Sequence, residues 1–149
     1  MVRKMTPEQR EGFLAEVRVG VLTVAAESGR APLVAPIWYE YRPGGEVTVQ
    51  TAPGARKARL ISEAGRFALC VQDEGVPYRY VTVEGPVVEV RPVTEQERFA
   101  MAARYAPRDM AAAYVEATHE EQAGNVAITM RPERWNTADF SDVVEQLSV

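Results

Sequence analysis

The sequence is poor in the side chains that perform most acid, base or nucleophile chemistry. Of its 149 residues, only His119 is a histidine and only Cys70 is a cysteine. A Cys/His zinc site needs about four ligands and a disulfide needs two cysteines, so we expect no metal site and no internal disulfide. The sequence also contains no GxSxG, GxxxxGK[ST] or GxGxxG motif. These absences exclude a nucleophile elbow, a P-loop and a dinucleotide fingerprint.

The one histidine is expected to be a solvated side chain at a polar helix end, in the run Ala-Thr-His-Glu-Glu-Gln. No side chain is therefore assigned as catalytic, and water and Tyr80 are the candidates for a proton donor. If the protein is an enzyme, we expect a cofactor to carry out the difficult step.

Other absences limit where the protein works and what it binds. No apolar run approaches the roughly 18–20 residues that span a bilayer, and the first residues lack the apolar core of a secretory signal. With a single cysteine, a cytoplasmic location is the simplest expectation. The net charge of −4 and pI of about 5.2 argue against nucleic acid as a partner. The length, with 46% hydrophobic residues, fits a single domain over residues 1–149.

Capping patterns predict the helices. Thr6 with Gln9, and Thr94 with Glu97, have the spacing of a capping box, which predicts helices to about residues 15 and 105. Further helices are predicted before Gly65, which suits a C-cap, and over residues 107–119.

Alternating hydrophobicity and short turns predict a sheet. The predicted strands cover residues 17–26, 33–41, 46–51, 66–72, 78–90, 125–131 and 134–141. In the first of these, Val17, Val19, Val21 and Thr23 share one face, and a break is predicted near Gly85. Short hairpin turns favour antiparallel pairing. We therefore predict a mainly β, α+β fold with six or seven antiparallel strands that close into a small barrel.

The segment 50–59 has an unusual charge pattern for a helix start. A helix N-terminus carries about half a positive charge and unpaired N–H groups, yet Arg56 and Lys57 occupy the predicted first turn and Arg59 follows. A phosphate held by these cations, the helix amides and the strand-end residues Gln50 and Thr51 would explain the pattern. The alternative is that the cations are solvated, with carboxylates reaching them from elsewhere in the fold.

An aromatic strand over residues 33–41 precedes this segment by one hairpin and is expected to pair with the strand that ends at Thr51. Pro36 leaves backbone groups of this strand free to face a ligand ring, and Ile37 and Trp38 follow it. The alternative is that its aromatic side chains belong to the core or to a dimer interface.

Taken together with the run Tyr-Arg-Tyr-Val-Thr-Val-Glu-Gly-Pro at residues 78–86, these two segments resemble the pyridoxamine 5′-phosphate oxidase-like superfamily of split β-barrel flavin and deazaflavin oxidoreductases. The resemblance covers residues 13–90. It implies an FMN-binding type split barrel that forms a homodimer with its cofactor in the groove between subunits.

The resemblance also implies roles for individual residues. Arg56 and Lys57 match the phosphate-binding pair, Thr51 matches the hydroxyl that meets the same phosphate, and Arg59 is a further contact. The strand at Pro36, Ile37 and Trp38 matches the one that lies along the ring system. Gln72 and Arg79 lie on strands that reach the same groove.

The chain departs from true pyridoxamine phosphate oxidases. These carry Arg and Lys on the strand that here reads 35–40, Gln where this chain has Tyr80, and a C-terminal Arg-x-His pattern that is missing from the run at 134–137. The sequence is more similar to short proteins that use coenzyme F420 or FMN.

We therefore expect hydride transfer between reduced F420 or FMN and a small planar organic substrate, without nucleic-acid or membrane partners. The alternatives are a non-catalytic carrier of FMN, F420 or a tetrapyrrole, and a dimeric scaffold with an empty groove.

Overall fold

The computed structural model describes residues 1–148 and has an α+β architecture in which eight strands form one curled antiparallel sheet. The strands are β1 (Gly20–Val24), β2 (Leu33–Ile37), β3 (Tyr39–Glu40), β4 (Val47–Thr51), β5 (Arg66–Gln72), β6 (Arg79–Pro92), β7 (Val126–Met130) and β8 (Arg134–Asp139). The helices are α1 (Pro7–Ala15), α2 (Arg56–Ala64), α3 (Glu95–Tyr105), α4 (Arg108–Ala117), α5 (His119–Gln122) and α6 (Ser141–Leu147).

The sheet curls into a split half-barrel. Its strand order is β2-β1-β5-β6-β7-β4-β3, and β8 adds to β6. The two ends of this path, β2 and β3, are separated in the chain by Trp38 alone. The predicted strand over residues 33–41 is therefore divided at Trp38, where the chain leaves one half of the sheet and enters the other. The predicted antiparallel split barrel is confirmed, and this division raises the strand count to eight.

The other crossing between the halves is β6. It pairs with β8 up to Glu84 and with β5 up to Pro86, and from Val87 it pairs with β7, with a bulge between Val87 and Glu89. The predicted break near Gly85 is wrong, because the strand continues through it. Gly85 instead allows the β7–β8 connection to pass close by: a Cβ built on it would lie 1.8 Å from the Arg131 carbonyl oxygen.

The core fills the interior of the barrel with alternate residues of each strand. The buried positions of β1 are Gly20, Leu22 and Val24, so the predicted common face that contains Val19 and Val21 points outward. Its residues Val17 and Val19 are 56% and 53% exposed. The inward residues of β5 are those predicted by its alternation, Phe67, Leu69 and Val71.

The helices begin and end largely where the capping patterns predict. Both capping boxes form, at Thr6 and at Thr94, and Gly65 ends α2 in the left-handed conformation at φ 71°. The predicted helix 107–119 is instead divided at Thr118 into α4 and α5. The last strand stops at Asp139, and α6, which the sequence pattern did not predict, follows it.

The segment 94–122 forms a helical insertion between β6 and β7. Its helices α3 and α4 share a small cluster of buried side chains, Ala102, Ala111 and Val115, which is separate from the barrel core. Trp38 packs against this cluster from the barrel side. Among the described helices, none is both long and apolar enough to cross a membrane.

The close contact at Gly85 gives a stability prediction. We expect Gly85→Ala to lower the free energy of unfolding by about 3 kcal/mol, because the added methyl group collides with backbone that cannot easily move. The matched control is Gly12→Ala in α1, where a Cβ meets nothing within 4 Å. That change should be stabilising by about 0.5–1 kcal/mol. Urea unfolding followed by circular dichroism measures both, and equal effects at the two sites would contradict the assignment.

Candidate functional site

A cavity of about 260 Å³ lies between the corner at Trp38 and the helical insertion. The barrel contributes the strand that carries Pro36, Ile37 and Trp38, together with Gln50 near the end of β4. The insertion and the residues just after it supply the opposite side. The complete lining is Val19, Pro36, Ile37, Trp38, Gln50, Arg98, Met101, Ala102, Tyr114, Gln122 and Asn125.

Three packed aromatic side chains hold the insertion over this cavity. The rings of Trp38 and Tyr105 stack with centroids 5.0 Å apart and planes within 8°, and Tyr114 lies tilted against Trp38 at 5.6 Å. The Tyr105 hydroxyl accepts a hydrogen bond from the Tyr39 N–H at 3.1 Å and lies 2.8 Å from the Arg18 carbonyl oxygen. The indole at the corner of the barrel is therefore held in one orientation.

Polar contacts hold the start of α3 at the same place. The Gln50 side-chain amide donates to the Glu97 carbonyl at 3.2 Å, which ties the end of β4 to α3. The Glu97 carboxylate closes the cap at Thr94 and pairs with Arg91 at 2.7 Å. The hydrogen bond from Arg91 is the main cause that lowers the pKa of Glu97, and burial opposes it.

The first turn of α2 is cationic and lacks a side-chain cap. Its N-cap residue is Ala55, no acidic residue lies in the turn, and Arg56 and Lys57 are its first two residues. Lys57 is half-buried and forms no ion pair with any carboxylate of residues 1–148. The turn therefore offers unpaired amides and an ammonium group, which is the donor set that an anion such as phosphate requires.

The sequence prediction missed Glu27, which lies between β1 and β2. Its carboxylate accepts hydrogen bonds from Arg56 at 2.9 Å and from Arg59 at 3.4 Å. The alternative of carboxylates from elsewhere in the fold therefore holds for these two arginines. A bond from its own backbone amide, followed by that from Arg56, lowers the pKa of Glu27 to about 2. No spacing rule in the sequence links residue 27 to residue 56, because the sheet brings them together.

The ion pair with Glu27 leaves the first turn of α2 accessible to an anion. Glu27 and Arg56 are 39% and 35% exposed, and an ion pair at the surface is weak because water and salt screen it. A hydrogen bond to a charged group contributes about 1.5–3 kcal/mol, and a phosphate would make several with Lys57 and the helix amides. The donor set of this turn therefore fits a phosphate.

The other predicted positions divide into two groups. Thr51 is buried next to Gln50 at the end of β4, between the cavity and α2. Gln72 and Arg79 lie at the far ends of β5 and β6, outside the cavity lining. There the Arg79 guanidinium donates to Asp73 at 2.7 Å. One chain thus brings Pro36, Ile37, Trp38 and Gln50 around the cavity and leaves Gln72 and Arg79 apart from it.

The candidate proton donor and the histidine lie elsewhere too. Tyr80 is opposite Gln72 in β6 and does not line the cavity, and His119 is exposed at the start of α5. Within residues 1–148, no group of three or more His, Cys, Asp and Glu side chains is placed to hold a metal ion.

The cavity residues from the insertion were not found from the sequence. Arg98, Met101, Tyr114 and Gln122 lie on helices whose polar and apolar pattern is ordinary. The available signal was Arg98, a charged residue on the side of α3 that also carries Met101 and Ala102 and is buried with them. Charge within an apolar helix face indicates a buried ionic group.

The fold and the site can be compared with known structures. A conserved hypothetical protein from Mycobacterium tuberculosis (Rv2991) is 20% identical, with a TM-score of 0.72 and coverage of 94% of this chain and 88% of that chain. An F420 reductase is 22% identical, with a TM-score of 0.61 and coverage of 85% and 94%. A FAD-binding protein from Mesorhizobium loti is 22% identical, with a TM-score of 0.65 and coverage of 93% and 96%. At these identities the likeness establishes a shared fold.

The family follows from the sequence itself. The family model described as pyridoxamine 5′-phosphate oxidase matches residues 5–139, so the match covers nearly the whole chain. No curated protein matches the sequence. The chain therefore belongs to the pyridoxamine 5′-phosphate oxidase family, and its split barrel is the fold of that family's flavin- and deazaflavin-related structures.

The ion pairs of Glu27 give a pH prediction. Folding lowers the pKa of Glu27 from 4.5 to about 2, first through its own backbone amide and then through Arg56. These interactions of the carboxylate therefore stabilise the fold above pH 4.5, and this stabilisation is lost as the pH falls toward 2. We expect carboxyl NMR to show Glu27 titrating near pH 2 in the wild type and closer to 4.5 in Arg56→Gln.

The matched control is Arg30→Gln, which removes a nearby arginine that forms no ion pair within residues 1–148. It should leave the Glu27 titration unchanged. If the pKa of Glu27 is the same in Arg56→Gln as in the wild type, the pairing is absent in solution.

Proposed function

We propose that the protein is an oxidoreductase that binds FMN or F420 and transfers a hydride between the reduced cofactor and a small planar organic substrate. One observation carries the proposal: the cavity beside the strand at Pro36, Ile37 and Trp38 and a cationic helix turn lie at consecutive positions of the fold, joined by the segment from Gln50 to Arg56. Gln50 lines the cavity, Thr51 ends β4, and α2 begins at Arg56. FMN and F420 each have a planar ring system and a phosphate-bearing tail, which matches this succession.

Each part of the segment has a separate task. The phosphate is bound by Lys57, Arg56 and the amides of α2. Thr51 supplies a hydroxyl at the end of β4. Arg59 lies about one turn further along α2, where it contacts the cofactor tail. The strand at Pro36, Ile37 and Trp38 lies along the ring. Because Tyr105 stacks on Trp38, the indole does not have to move when the cofactor ring binds along this strand.

The residues that line the cavity support cofactor chemistry. They include no Asp, Glu, His, Cys, Ser or Lys, so no lining side chain is an obvious general base or nucleophile. When bound, FMN or F420 supplies the hydride chemistry, while the chain's own residues orient the ring and exclude water. The Tyr114 hydroxyl, which accepts a hydrogen bond from Gln122 at 3.1 Å, is a lining group able to hold a proton.

A homodimer is part of the proposal. Val19, Val34 and Pro36 lie exposed on the outward face of β1 and β2, beside the cavity, and such apolar exposure marks a contact surface. In a symmetric pair, Gln72 and Arg79 of a second copy complete the groove that one chain leaves open.

A non-catalytic carrier of FMN, F420 or a tetrapyrrole is the second candidate function. It is favoured by the same lack of acid and base groups around the cavity, since storage needs no proton transfer. The FAD-binding relative is named for binding alone. Turnover distinguishes the two: an oxidoreductase oxidises reduced F420 or FMN faster when a planar acceptor such as menadione is added, whereas a carrier does not.

The phosphate site can be tested by titrating the protein with FMN and with F420 and following cofactor fluorescence. We expect Lys57→Ala and Arg56→Ala each to weaken binding by about 1.5–3 kcal/mol, the range for hydrogen bonds to charged groups. Glu27→Gln should strengthen binding, because it frees Arg56 and Arg59 from a competing carboxylate.

The matched control is Arg134→Ala, which removes a 75% exposed arginine on β8 and should leave affinity unchanged. Equal affinity in Lys57→Ala, Arg56→Ala and the wild type would disprove the phosphate site, and with it the proposed function.

A further inference from the structure

Arg98 is a buried cation that no carboxylate in the described part of the chain neutralises. It is 4% exposed, and it forms no ion pair with any carboxylate of residues 1–148. The nearest acidic residue in sequence, Glu97, is engaged with Arg91 and Thr94. A buried charge without a counterion is costly, because the protein interior replaces water without restoring the lost solvation.

Two of the three guanidinium nitrogens of Arg98 also lack hydrogen-bond partners. The Nη2 atom donates to the Val115 carbonyl at 3.0 Å and to the Thr118 hydroxyl at 3.1 Å. The Nε and Nη1 atoms are buried and have no hydrogen-bond partner within residues 1–148. Arg98 is thus anchored to α4 through one nitrogen, while two others keep their donors free.

The cavity lies directly against this side chain. Arg98 lines it together with the neutral side chains of Gln50, Asn125, Gln122 and Tyr114, so it carries the only full charge among the lining residues. A ligand that fills the cavity lies against the positively charged Arg98 side chain on one side and the indole of Trp38 on another. These features together complement a flat molecule that bears an anionic group.

We infer that Arg98 is the carboxylate-binding residue of this cavity and that the substrate is a small planar molecule carrying a carboxylate. A cavity of about 260 Å³ is small for a ligand site, which favours one or two rings. The inference names the substrate class of the proposed oxidoreductase and rests on that function for turnover, but the binding it requires can be measured without any cofactor.

The experiment compares two probes of equal shape and different charge, 2-naphthoate and 2-naphthamide, by calorimetric titration of the cofactor-free protein. We expect wild-type protein to bind 2-naphthoate at least tenfold more tightly than 2-naphthamide. Arg98→Met should remove this preference by weakening 2-naphthoate alone, and Arg98→Lys should retain most of it, because a positive charge remains. Equal affinity for the two probes, or no binding of either at millimolar concentration, would overturn the inference.

Thr118→Val separates binding from a structural role. It removes one partner of Arg98 in α4 and keeps the charge, so it should leave the preference for 2-naphthoate intact. If Arg98 served only to join α3 to α4, Arg98→Met would lower the melting temperature and leave the preference unchanged. That result would also overturn the inference.

Lys57→Ala distinguishes failure of this inference from failure of the proposed function. It should weaken the binding of FMN and F420 at least tenfold while the preference for 2-naphthoate persists. If neither cofactor binds the wild type but the naphthoate preference depends on Arg98, the carboxylate site stands and the oxidoreductase proposal fails.

Discussion

The architecture depends on two points at which the chain passes from one half of the sheet to the other. At Trp38 the chain passes from the half that contains β1 to the half that contains β4. At Gly85 and the bulge after it, β6 makes the equivalent passage while the β7–β8 connection crosses it in backbone contact. A twisted sheet closes only where strands bend in this way. The cavity therefore forms at a corner that the barrel must have in any case.

The corner explains why a ligand site lies where it does. The bend at Trp38 leaves a ring-bearing residue between two strands, and the insertion covers it through Tyr105 and Tyr114. The end of β4 lies close by, since β3 pairs with β4, and it leads directly into α2. The cavity and the cationic turn thus both result from the order in which β3, β4 and α2 follow one another. This explains how a small chain with few reactive side chains provides both.

Local features were predictable from the sequence, and long-range neighbours were not. The caps at Thr6 and Thr94 and the alternation in β5 depend on residues a few positions apart, so they were predicted correctly. The partnership of Glu27 with Arg56 spans 29 residues and exists only through the sheet. The burial of Arg98 likewise depends on how α4 folds back over α3. The strand prediction failed at Gly85, where a turn-forming residue serves a close backbone approach instead.

The insertion has its own small core, formed by Ala102, Ala111 and Val115, and this has an evolutionary consequence. A segment that packs mainly on itself can accumulate substitutions without disturbing the barrel interior. Relatives could therefore diversify in ligand preference by exchanging the cover of the corner, while the barrel and α2 stay constant. Grafting the 94–122 segment between such proteins is a natural route to altered selectivity.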